Sequence, residues 1–352
     1  MNSFCKQDRE FLKSIEGQGS IVSANKCYGL SRYGNLLLVL PQDRKLSLKT
    51  LSLYQPQKTL VKALVVLFTW FVRLGGVRLL KPISLEIRES SPLAHIAGDG
   101  QFGFLLGNPT RDARRLICLY EKDGQSLVGK FGVGGRSRDT VVKEIEILQG
   151  DVRGLEGVPE ILSSQIEDQY AYYAVPWMDG RSPSVKDQGY LLDLLRSWER
   201  GIAKVAVREL PFWEELYRMV ASNEERAILD GYANLNLRES VIHGDFTPWN
   251  VKCLSQGGVA VLDWEFCRPD GVAGLDVAHY LIQPLILVKK MSASEALKAA
   301  LEWGANEGRD YLHHAGWGGQ VQAWLGIYLF YSHYVLKLNH RDLIECWKKE
   351  RV

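Results

Sequence analysis

The sequence predicts an α+β protein of two lobes, with a small antiparallel β-sheet lobe followed by a larger, mainly helical lobe. Three observations lead to this class. The chain has 352 residues, which is more than a single typical domain needs. Residues 102–175 contain several short runs of apolar and β-forming residues, whereas most segments after residue 183 have helical spacing. We therefore expect an N-terminal extension over residues 1–90, the sheet lobe over 91–178 and the helical lobe over 179–352.

The N-terminal extension contains one predicted strand and one strongly apolar segment. NLLLVLP, residues 35–41, is typical of a buried strand that ends at proline. TLVKALVVLFTWFVRLGGVRLL, residues 59–80, predicts a helix, and its uninterrupted apolar run over 63–72 is about half as long as a membrane-spanning helix requires. Three interpretations remain open. The helix is buried against the rest of the protein, or it is interfacial and brings the protein to a lipid-linked substrate, or it spans a membrane.

The sheet lobe is predicted from five β-type runs and one helix. QFGFLLGNP, RRLICLYE and SLVGKFGVG are the first three runs, and EKDG at residues 121–124 predicts a hairpin turn because glycine supplies positive φ. RDTVVKEIEILQG has helical spacing and ends at Gly150. Residues 160–162 and 170–175 predict two further strands, so the lobe should contain three strands, a helix and two strands.

The helical lobe is predicted from long segments with helical periodicity. The first two are YLLDLLRSWERGIAKVAVREL and PFWEELYRMVASNEERAILDGYANL. Two short β-type runs, VIHGD and GVAVLDWEF, interrupt the helical pattern. A connector near residues 175–179 separates this lobe from the sheet lobe, and clefts between lobes are favoured ligand sites.

Composition limits the functional classes. Hydrophobic residues make up 46% and charged residues 24% of the chain, as in ordinary globular proteins, and the formal net charge is +2. No Lys/Arg block or zinc-finger signature accompanies this charge, so we expect no nucleic-acid partner. The six cysteines include no CxxC pair, and the polar start MNSFCKQDREFLKS lacks the pattern of a secretory signal. We therefore expect reduced thiols in the cytoplasm.

Polar residues concentrate in VIHGDFTPWNV and at the end of the apolar strand that follows it. Asp245 can accept a proton, and Asn250 offers a carbonyl oxygen that suits Mg²⁺. Asp263 lies where the apolar run 259–262 ends, and His243 has ring nitrogens that can hold the loop by hydrogen bonds. Apolar strands beside both acidic groups would fix their positions, as a functional site requires.

A proton acceptor, an amide oxygen and a second carboxylate suit phosphoryl transfer. In that reaction the protein positions the reactants and neutralises charge through Mg²⁺, while an aspartate orients the attacking hydroxyl and takes its proton. The sheet lobe should then supply a cation for the phosphates. Lys130 is the candidate because it interrupts the apolar run LVGKFG and needs a partner there, for which the following helix offers Glu144 and Glu146.

These motifs resemble the catalytic core of the aminoglycoside phosphotransferase and choline kinase family, whose fold is protein-kinase-like. VLDWE resembles the IDWE-type metal motif of the family, and Asp276 matches the aspartate of its D-[IL]-A pattern, with valine in the second position. The resemblance is specific over residues 241–280, weaker over 102–175, and says little about the first ninety residues. The signature HGDxxxxN is matched by His243, Gly244, Asp245 and Asn250.

The resemblance implies roles for the polar residues of the helical lobe. Asp245 would be the catalytic base, and Asn250 and Asp263 would be Mg²⁺ ligands. We expect His243 to anchor the loop rather than to carry a proton. We expect Asp276 to be a buried acceptor that braces the catalytic loop rather than a contact to the substrate.

The resemblance also implies a nucleotide site in the sheet lobe. Lys130 would contact the α/β-phosphates, with Glu144 as its ion-pair partner because ExxxL matches the family's helix pattern. The backbone from Val175 to Met178 would hydrogen-bond adenine. The phosphate-covering turn would be GNPT, residues 107–110, which lacks the GxGxxG of protein kinases. The glycines of GKFGVGG are interpreted as a strand-to-helix turn.

The sequence thus predicts an ATP- and Mg²⁺-dependent kinase that transfers the γ-phosphate to a hydroxyl of a small molecule. The neutral charge balance and the apolar segment 59–80 favour a sugar or glycan precursor as acceptor, with peripheral membrane contact. The basic segment WKKERV argues against polycationic aminoglycosides, but aminoglycosides, choline and ethanolamine remain alternatives. A different class of function is a nucleotide-binding pseudokinase or adaptor. A protein kinase is disfavoured because HRD, DFG and APE signatures are absent.

Overall fold

The computed structural model of the protein describes residues 6–32, 34–94, 100–107 and 114–351. Within these residues the chain divides into two units, Met1–Gln149 with Pro159–Met178, and Gly150–Val158 with Asp179–Val352. The first unit contains an antiparallel sheet and the second is mainly helical. The α+β class predicted from the sequence is therefore confirmed.

The elements of the first unit are α1 Lys6–Glu16, β1 Ile21–Arg32, β2 Asn35–Pro41, α2 Arg44–Leu51, α3 Thr59–Arg73, β3 Lys81–Arg88, β4 Phe102–Leu106, β5 Arg115–Lys122, β6 Gln125–Val133, α4 Gly135–Gln149, β7 Ser163–Ile166 and β8 Tyr170–Pro176. Its strands form a sheet of eight in the order β3-β1-β2-β4-β5-β6-β8-β7, in which every neighbouring pair is antiparallel. The hairpin between β5 and β6 turns at Asp123 and Gly124, both with positive φ, as predicted.

Strands from the first ninety residues belong to this same sheet. The predicted strand NLLLVLP is β2, and it pairs with β4 through Leu38 opposite Leu105 and Val39 opposite Phe104. Side chains from both segments share one apolar core, in which Val39 and Phe104 are fully buried. The segments that we distinguished at residue 90 thus lie in one unit, and their functional division stays a prediction.

Helix α3 covers most of the apolar segment 59–80, and only one of its faces is buried. Val72 is buried in the core, and Val65 and Phe68 pack against the same core. Within residues 6–32, 34–94, 100–107 and 114–351, none of the helices combines the length and the hydropathy that a bilayer span requires. The opposite face of α3 and the residue after it expose more than half of each of six large apolar side chains: Leu60, Leu64, Val66, Leu67, Trp70 and Leu74.

The second unit surrounds two small three-stranded sheets with helices. The elements are β9 Gly180–Arg181, a 3₁₀ helix Val185–Asp187, α5 Gln188–Ser197, β10 Glu199–Ala206, α6 Pro211–Met219, α7 Asn223–Asp230, β11 Asn236–Ile242, β12 Val251–Leu254, β13 Val259–Val261, β14 Arg268–Val272, α8 Leu275–Leu287, α9 Ala293–Ala305, α10 Arg309–Ala315, α11 Val321–Phe330 and α12 Arg341–Glu350. The two sheets have the orders β10-β11-β14 and β13-β12-β9, and the pairs are antiparallel.

One helical prediction in this unit is wrong. The helix over YLLDLLRSWERGIAKVAVREL ends at Ser197, and ERGIAKVA forms strand β10. The strand pairs with β11, where Lys204 lies opposite Arg238. Gly201 has φ +70°, which breaks a helix at little cost for glycine. Pairing between segments distant in sequence therefore overrides the local helical spacing.

Candidate active site

The loop between β11 and β12 is held by a carboxylate from the start of α8. The backbone N–H groups of His243 and Gly244 donate to Oδ2 and Oδ1 of Asp276, at 2.7 and 3.0 Å. Asp276 lies in the first turn of α8 and is almost fully buried. Burial raises the pKa of Asp276 to about 6, although the two backbone hydrogen bonds act to lower it. The side chain of Asp276 thus accepts two hydrogen bonds from the loop backbone.

His243 connects the loop to the strand that precedes Asp263. Its Nε2 lies 3.0 Å from the carbonyl oxygen of Leu262, and its Nδ1 accepts a hydrogen bond of 3.1 Å from the backbone N–H of Asp245. Because the backbone N–H can only donate, the ring proton must be on Nε2. Burial lowers the pKa of His243 to about 4, which keeps the ring neutral. Both ring nitrogens are engaged within the protein, as a loop anchor requires.

Gly244 is required by the tight path of this loop. Its φ of +83° lies in the left-handed region, which non-glycine side chains rarely adopt. A Cβ atom at this position would lie 2.6 Å from the carbonyl oxygen of Phe266. The glycine of the HGD motif therefore permits close packing of two backbone segments directly before Asp245.

The carboxylate of Asp245 is fixed through both of its oxygens. Nδ2 of Asn250 donates to Oδ2 at 2.7 Å and to the carbonyl oxygen of Asp245 at 2.9 Å. Nε2 of His279 lies 3.1 Å from Oδ1. The Asp245 side chain is 29% exposed, whereas His279 is buried. The carboxylate is thus oriented from inside the protein and still open to solvent.

His279 is the residue of this site that sequence reasoning missed. It lies one helical turn after Asp276 on α8, so both side chains face the loop. Since Nε2 donates to the Asp245 carboxylate, Nδ1 accepts from the hydroxyl of Tyr328, at 3.4 Å. The only signal in the sequence was the spacing of three residues between an acid and a histidine on an apolar helix.

Asp263 comes directly after the hairpin that carries Asn250. Val251 pairs with Val261, and the N–H of Leu262 donates to the carbonyl oxygen of Asn250 at 2.8 Å. Asn250 and Asp263 therefore lie at the same end of the hairpin. Asp263 has φ +71°, a strained conformation for a residue with a side chain, and such strain is typical of functional sites.

The donor set at this end of the hairpin fits a magnesium ion better than a transition metal. Nδ2 of Asn250 makes two hydrogen bonds to Asp245, so the side chain presents Oδ1 as its remaining ligand atom. Asp263 supplies a carboxylate beside it. In the part of the chain that the structure describes, no cluster of three or more His, Cys, Asp or Glu side chains could hold a metal. Mg²⁺ needs only one or two protein carboxylates when phosphates complete its shell.

In the sheet unit, Lys130 forms an ion pair with Glu144. Nζ of Lys130, on β6, lies 2.5 Å from Oε2 of Glu144, on α4, and both side chains are buried. Glu146 is exposed, so the structure selects Glu144 between the two partners that the sequence left open. The ion pair fixes the position of the Lys130 side chain between the strand and the helix.

The remaining nucleotide-site predictions are placed as follows. Val175 lies in β8 opposite Val128 of β6, and Met178 is the last residue of the sheet unit. Of the predicted phosphate-covering turn, Gly107 is described and residues 108–110 lie outside the described residues. The glycine-rich GKFGVGG does form a strand-to-helix turn, because β6 ends at Val133 and α4 begins at the next residue but one.

Comparison with known proteins relates the helical unit to one family. Residues 186–311 match the model of the phosphotransferase enzyme family. This segment contains the loop from His243 to Asn250, together with Asp263, Asp276 and His279. No curated protein matches the chain.

Several solved structures are similar to the chain at low sequence identity. Aminoglycoside phosphotransferase APH(4)-Ia, as a thermostable mutant in a ternary complex with ADP and hygromycin B, is 13% identical. It covers 73% of this chain and 94% of its own, with a TM-score of 0.47. An ethanolamine kinase of Plasmodium vivax is 10% identical over 74% of this chain and 84% of its own, with a TM-score of 0.41. A putative fructosamine-3-kinase from Haemophilus somnus is 10% identical over 67% and 87%, with a TM-score of 0.43.

Acidification should affect this loop through two groups of opposite sign. The folded-state pKa of His243, about 4, lies below its ordinary 6.5, so its stabilisation is complete above pH 6.5 and is lost as the pH falls. The folded-state pKa of Asp276, about 6, lies above its ordinary 3.8, so its contribution is present below pH 3.8 and is lost as the pH rises through 6. Between pH 6.5 and 4 the gain at Asp276 therefore offsets the loss at His243.

The variant Asp276→Asn should lack this compensation. From pH 7 to pH 4.5 its free energy of unfolding should fall by about 2 kcal/mol more than that of the wild type. Urea unfolding at the two pH values measures the difference, and the exposed Asp193→Asn serves as the control. Equal pH dependence in wild type and Asp276→Asn would contradict the assignment.

Proposed function

We propose that the protein transfers the γ-phosphate of ATP to a hydroxyl of a small molecule. The proposal starts from the family match, by which the chain is a phosphotransferase. The match over residues 186–311 confirms both the resemblance and the enzyme class predicted from the sequence. The observation that carries the proposal is the Asp245 carboxylate, which Asn250 and His279 hold from both sides while it stays open to solvent. We further propose that the reaction uses ATP and Mg²⁺ and takes place in the cytoplasm.

Asp245 is the proposed catalytic base. The oxygen of the acceptor hydroxyl attacks the γ-phosphorus while the bond from phosphorus to the β–γ bridging oxygen breaks, and the hydroxyl proton passes to the Asp245 carboxylate. Asn250 and His279 each donate to a different oxygen of this carboxylate, so it cannot rotate freely. A fixed carboxylate orients the hydroxyl for in-line attack, and this positioning is a large part of catalysis in such reactions.

Asn250 and Asp263 are the proposed magnesium ligands. Asn250, which offers Oδ1, and Asp263, which offers its carboxylate, lie at the same end of the β12–β13 hairpin. When bound there, Mg²⁺ would neutralise the charge that develops on the transferred phosphoryl group. The second hydrogen-bond role of Asn250, toward Asp245, links the metal ligand to the base.

The sheet unit supplies the proposed nucleotide contacts. The buried Lys130, held by Glu144, would contact the α/β-phosphates, because a paired lysine presents a fixed positive charge. The backbone between Val175 and Met178 would hydrogen-bond the adenine ring. These roles follow the resemblance and depend on the ion pair that the structure contains.

The acceptor is proposed to be a hydroxyl of a sugar or glycan precursor at a membrane surface. The exposed face of α3 consists of large apolar side chains, including Leu64, Leu67 and Trp70. Between residues 44 and 85 the sequence contains eight Lys and Arg residues and no Asp or Glu. Apolar side chains in a uniformly cationic segment suit the interface of an anionic lipid bilayer. We therefore propose that α3 contacts such a bilayer peripherally.

Replacing the base tests the proposed reaction. Asp245→Asn should lower kcat by roughly 10²–10⁴-fold, because the amide cannot take the proton. Nucleotide binding should stay within about twofold, since the change conserves shape. Acceptor-dependent ADP release across a panel of sugars, amino alcohols and aminoglycosides measures turnover, fluorescent ATP titration measures binding, and Asp193→Asn is the control. Tight nucleotide binding without acceptor-dependent ADP release from the wild type would instead support an adaptor.

Replacing the missed histidine tests its proposed role as a positioning residue. His279→Ala should lower kcat by roughly 10–100-fold with the KM for ATP unchanged, because Asp245 loses one of its two orienting donors. His279→Gln places an amide N–H near the position of Nε2 and should recover most of the loss. The exposed His313→Ala is the control. Equal loss in the Ala and Gln variants would argue for a merely structural role.

Vesicle binding tests the contact proposed for α3. The wild type should co-float with vesicles that contain phosphatidylglycerol and not with pure phosphatidylcholine vesicles, because the segment is cationic. Leu67→Asp should weaken co-flotation at least about tenfold, since a charge enters the apolar face. Ile202→Asp, at an 89% exposed position of the helical unit, should have no effect. Unchanged flotation of Leu67→Asp would exclude α3 as the contact.

A further inference from the structure

A cavity of about 400 Å³ opens in the helical unit beside the catalytic loop. Phe246 and Pro248, which follow Asp245 in the loop, form part of its wall. Phe246 is almost fully buried and packs against Tyr280, with ring centroids 5.7 Å apart. The residue that follows the proposed base in the sequence therefore lines the cavity.

Helix α8 joins the cavity to the catalytic carboxylate. Its residues Asp276 and His279 face the loop, where they hold the backbone and the side chain of Asp245. The adjacent stripe of the same helix, at helical spacing, faces the cavity. The α8 residues that line the cavity are Val277, Tyr280, Leu281, Pro284 and Leu285.

The facing wall of the cavity is also apolar. Helix α5 contributes Leu191, Leu192 and Leu195, at the spacing of one helix face. Trp303 of α9 closes one side. Leucine, proline and aromatic side chains form most of the lining, and its polar members are Ser184, Gln188 and Lys289. A predominantly apolar surface favours an apolar ligand over a free sugar.

The charges of the residues that line the cavity argue against two alternative classes of acceptor, namely aminoglycosides and the amino alcohols choline and ethanolamine. None of its lining residues, all within the described segments from 183 to 303, is Asp or Glu, whereas a polycationic aminoglycoside requires carboxylates. Lys289 also lines the cavity and would repel the ammonium group of choline or ethanolamine. The volume is also far larger than a trimethylammonium group fills, although Phe246, Tyr280 and Trp303 are aromatic.

We infer that this cavity binds an apolar chain of the acceptor and thereby brings the acceptor's hydroxyl to Asp245. The inference rests on the proposed function and narrows its acceptor to an amphiphile, an alcohol or glycan head attached to an aliphatic or isoprenoid-like chain. The stripe of α8 that binds the chain and the stripe that orients the base belong to the same helix. Chain binding therefore fixes the hydroxyl relative to the carboxylate.

A homologous series of n-alkyl glucosides tests the inference, at concentrations below micelle formation. From methyl through hexyl to octyl glucoside, the dissociation constant measured by calorimetry should fall by up to about fourfold per buried methylene. The KM for ATP-dependent phosphorylation should fall in parallel. The head group is constant, so the series isolates the contribution of the chain.

Matched variants of α8 locate the binding site. Leu285→Lys places a charge in the cavity and should abolish the dependence on chain length, whereas Leu287→Lys, at an exposed position of the same helix, should preserve it. Leu285→Ala is a milder variant in case the lysine impairs folding, and it should weaken octyl glucoside binding several-fold while leaving methyl glucoside unchanged. Leu67→Asp on α3 should also preserve the dependence, which separates the cavity from the exposed helix face.

The outcomes separate the inference from the proposed function. Chain-dependent binding that Leu285→Lys abolishes supports the inference. Affinity that is independent of chain length, with short polar acceptors phosphorylated equally well, overturns the inference and leaves the proposed function intact. Chain-dependent binding at Leu285 without phosphoryl transfer to any alcohol of the panel supports the ligand class and overturns the proposed function instead.

Discussion

The site depends on one buried carboxylate, that of Asp276, which accepts hydrogen bonds from the backbone N–H groups of His243 and Gly244. A buried carboxylate is costly unless hydrogen bonds compensate it, and two backbone donors provide that compensation. In return, the loop backbone is fixed to the first turn of α8. His243 then connects the loop to the end of β13 through Leu262, and the N–H of Asp245 bonds back to the His243 ring. These hydrogen bonds connect the loop that carries Asp245, and the strand that leads to Asp263, to α8.

Helix α8 has three tasks on two neighbouring stripes, and this explains why its sequence mixes polar and apolar residues without a simple amphipathic pattern. Asp276 holds the loop, His279 orients the base, and Tyr280 belongs to the wall of the cavity. Farther along, Gln283 bonds to the hydroxyl of Tyr328, which in turn lies against His279. A polar network that is satisfied inside an apolar core is rigid, since each member leaves an unpaired group if it moves. The base is therefore positioned by the core of the helical unit rather than by the loop alone.

From the sequence we could propose site residues that lie within one strand–loop–strand segment or within one strand and the next helix. Asp245, Asn250 and Asp263 belong to the first kind, and the pair of Lys130 and Glu144 belongs to the second. His279 could not be predicted, because a histidine in an apolar helix is more often a core residue, and its partner Asp245 is 34 residues away. Strand β10 was missed for a related reason: its pairing with β11 depends on contacts that local periodicity does not contain. Residues whose role is set by long-range contacts thus required the structure.

An apolar cavity beside a carboxylate base has a physical advantage for phosphoryl transfer. Charged groups that recognise an acceptor would compete with Asp245 or with the nucleotide phosphates for cations and hydrogen bonds. Apolar contacts provide binding free energy without such competition, and contacts remote from the reacting oxygen can be used to orient it. Lys289 is the one cation among the described residues that line the cavity. In our proposal, recognition by Leu191, Leu285 and their neighbours is thus separate from the chemistry at Asp245, and α8 carries residues for both.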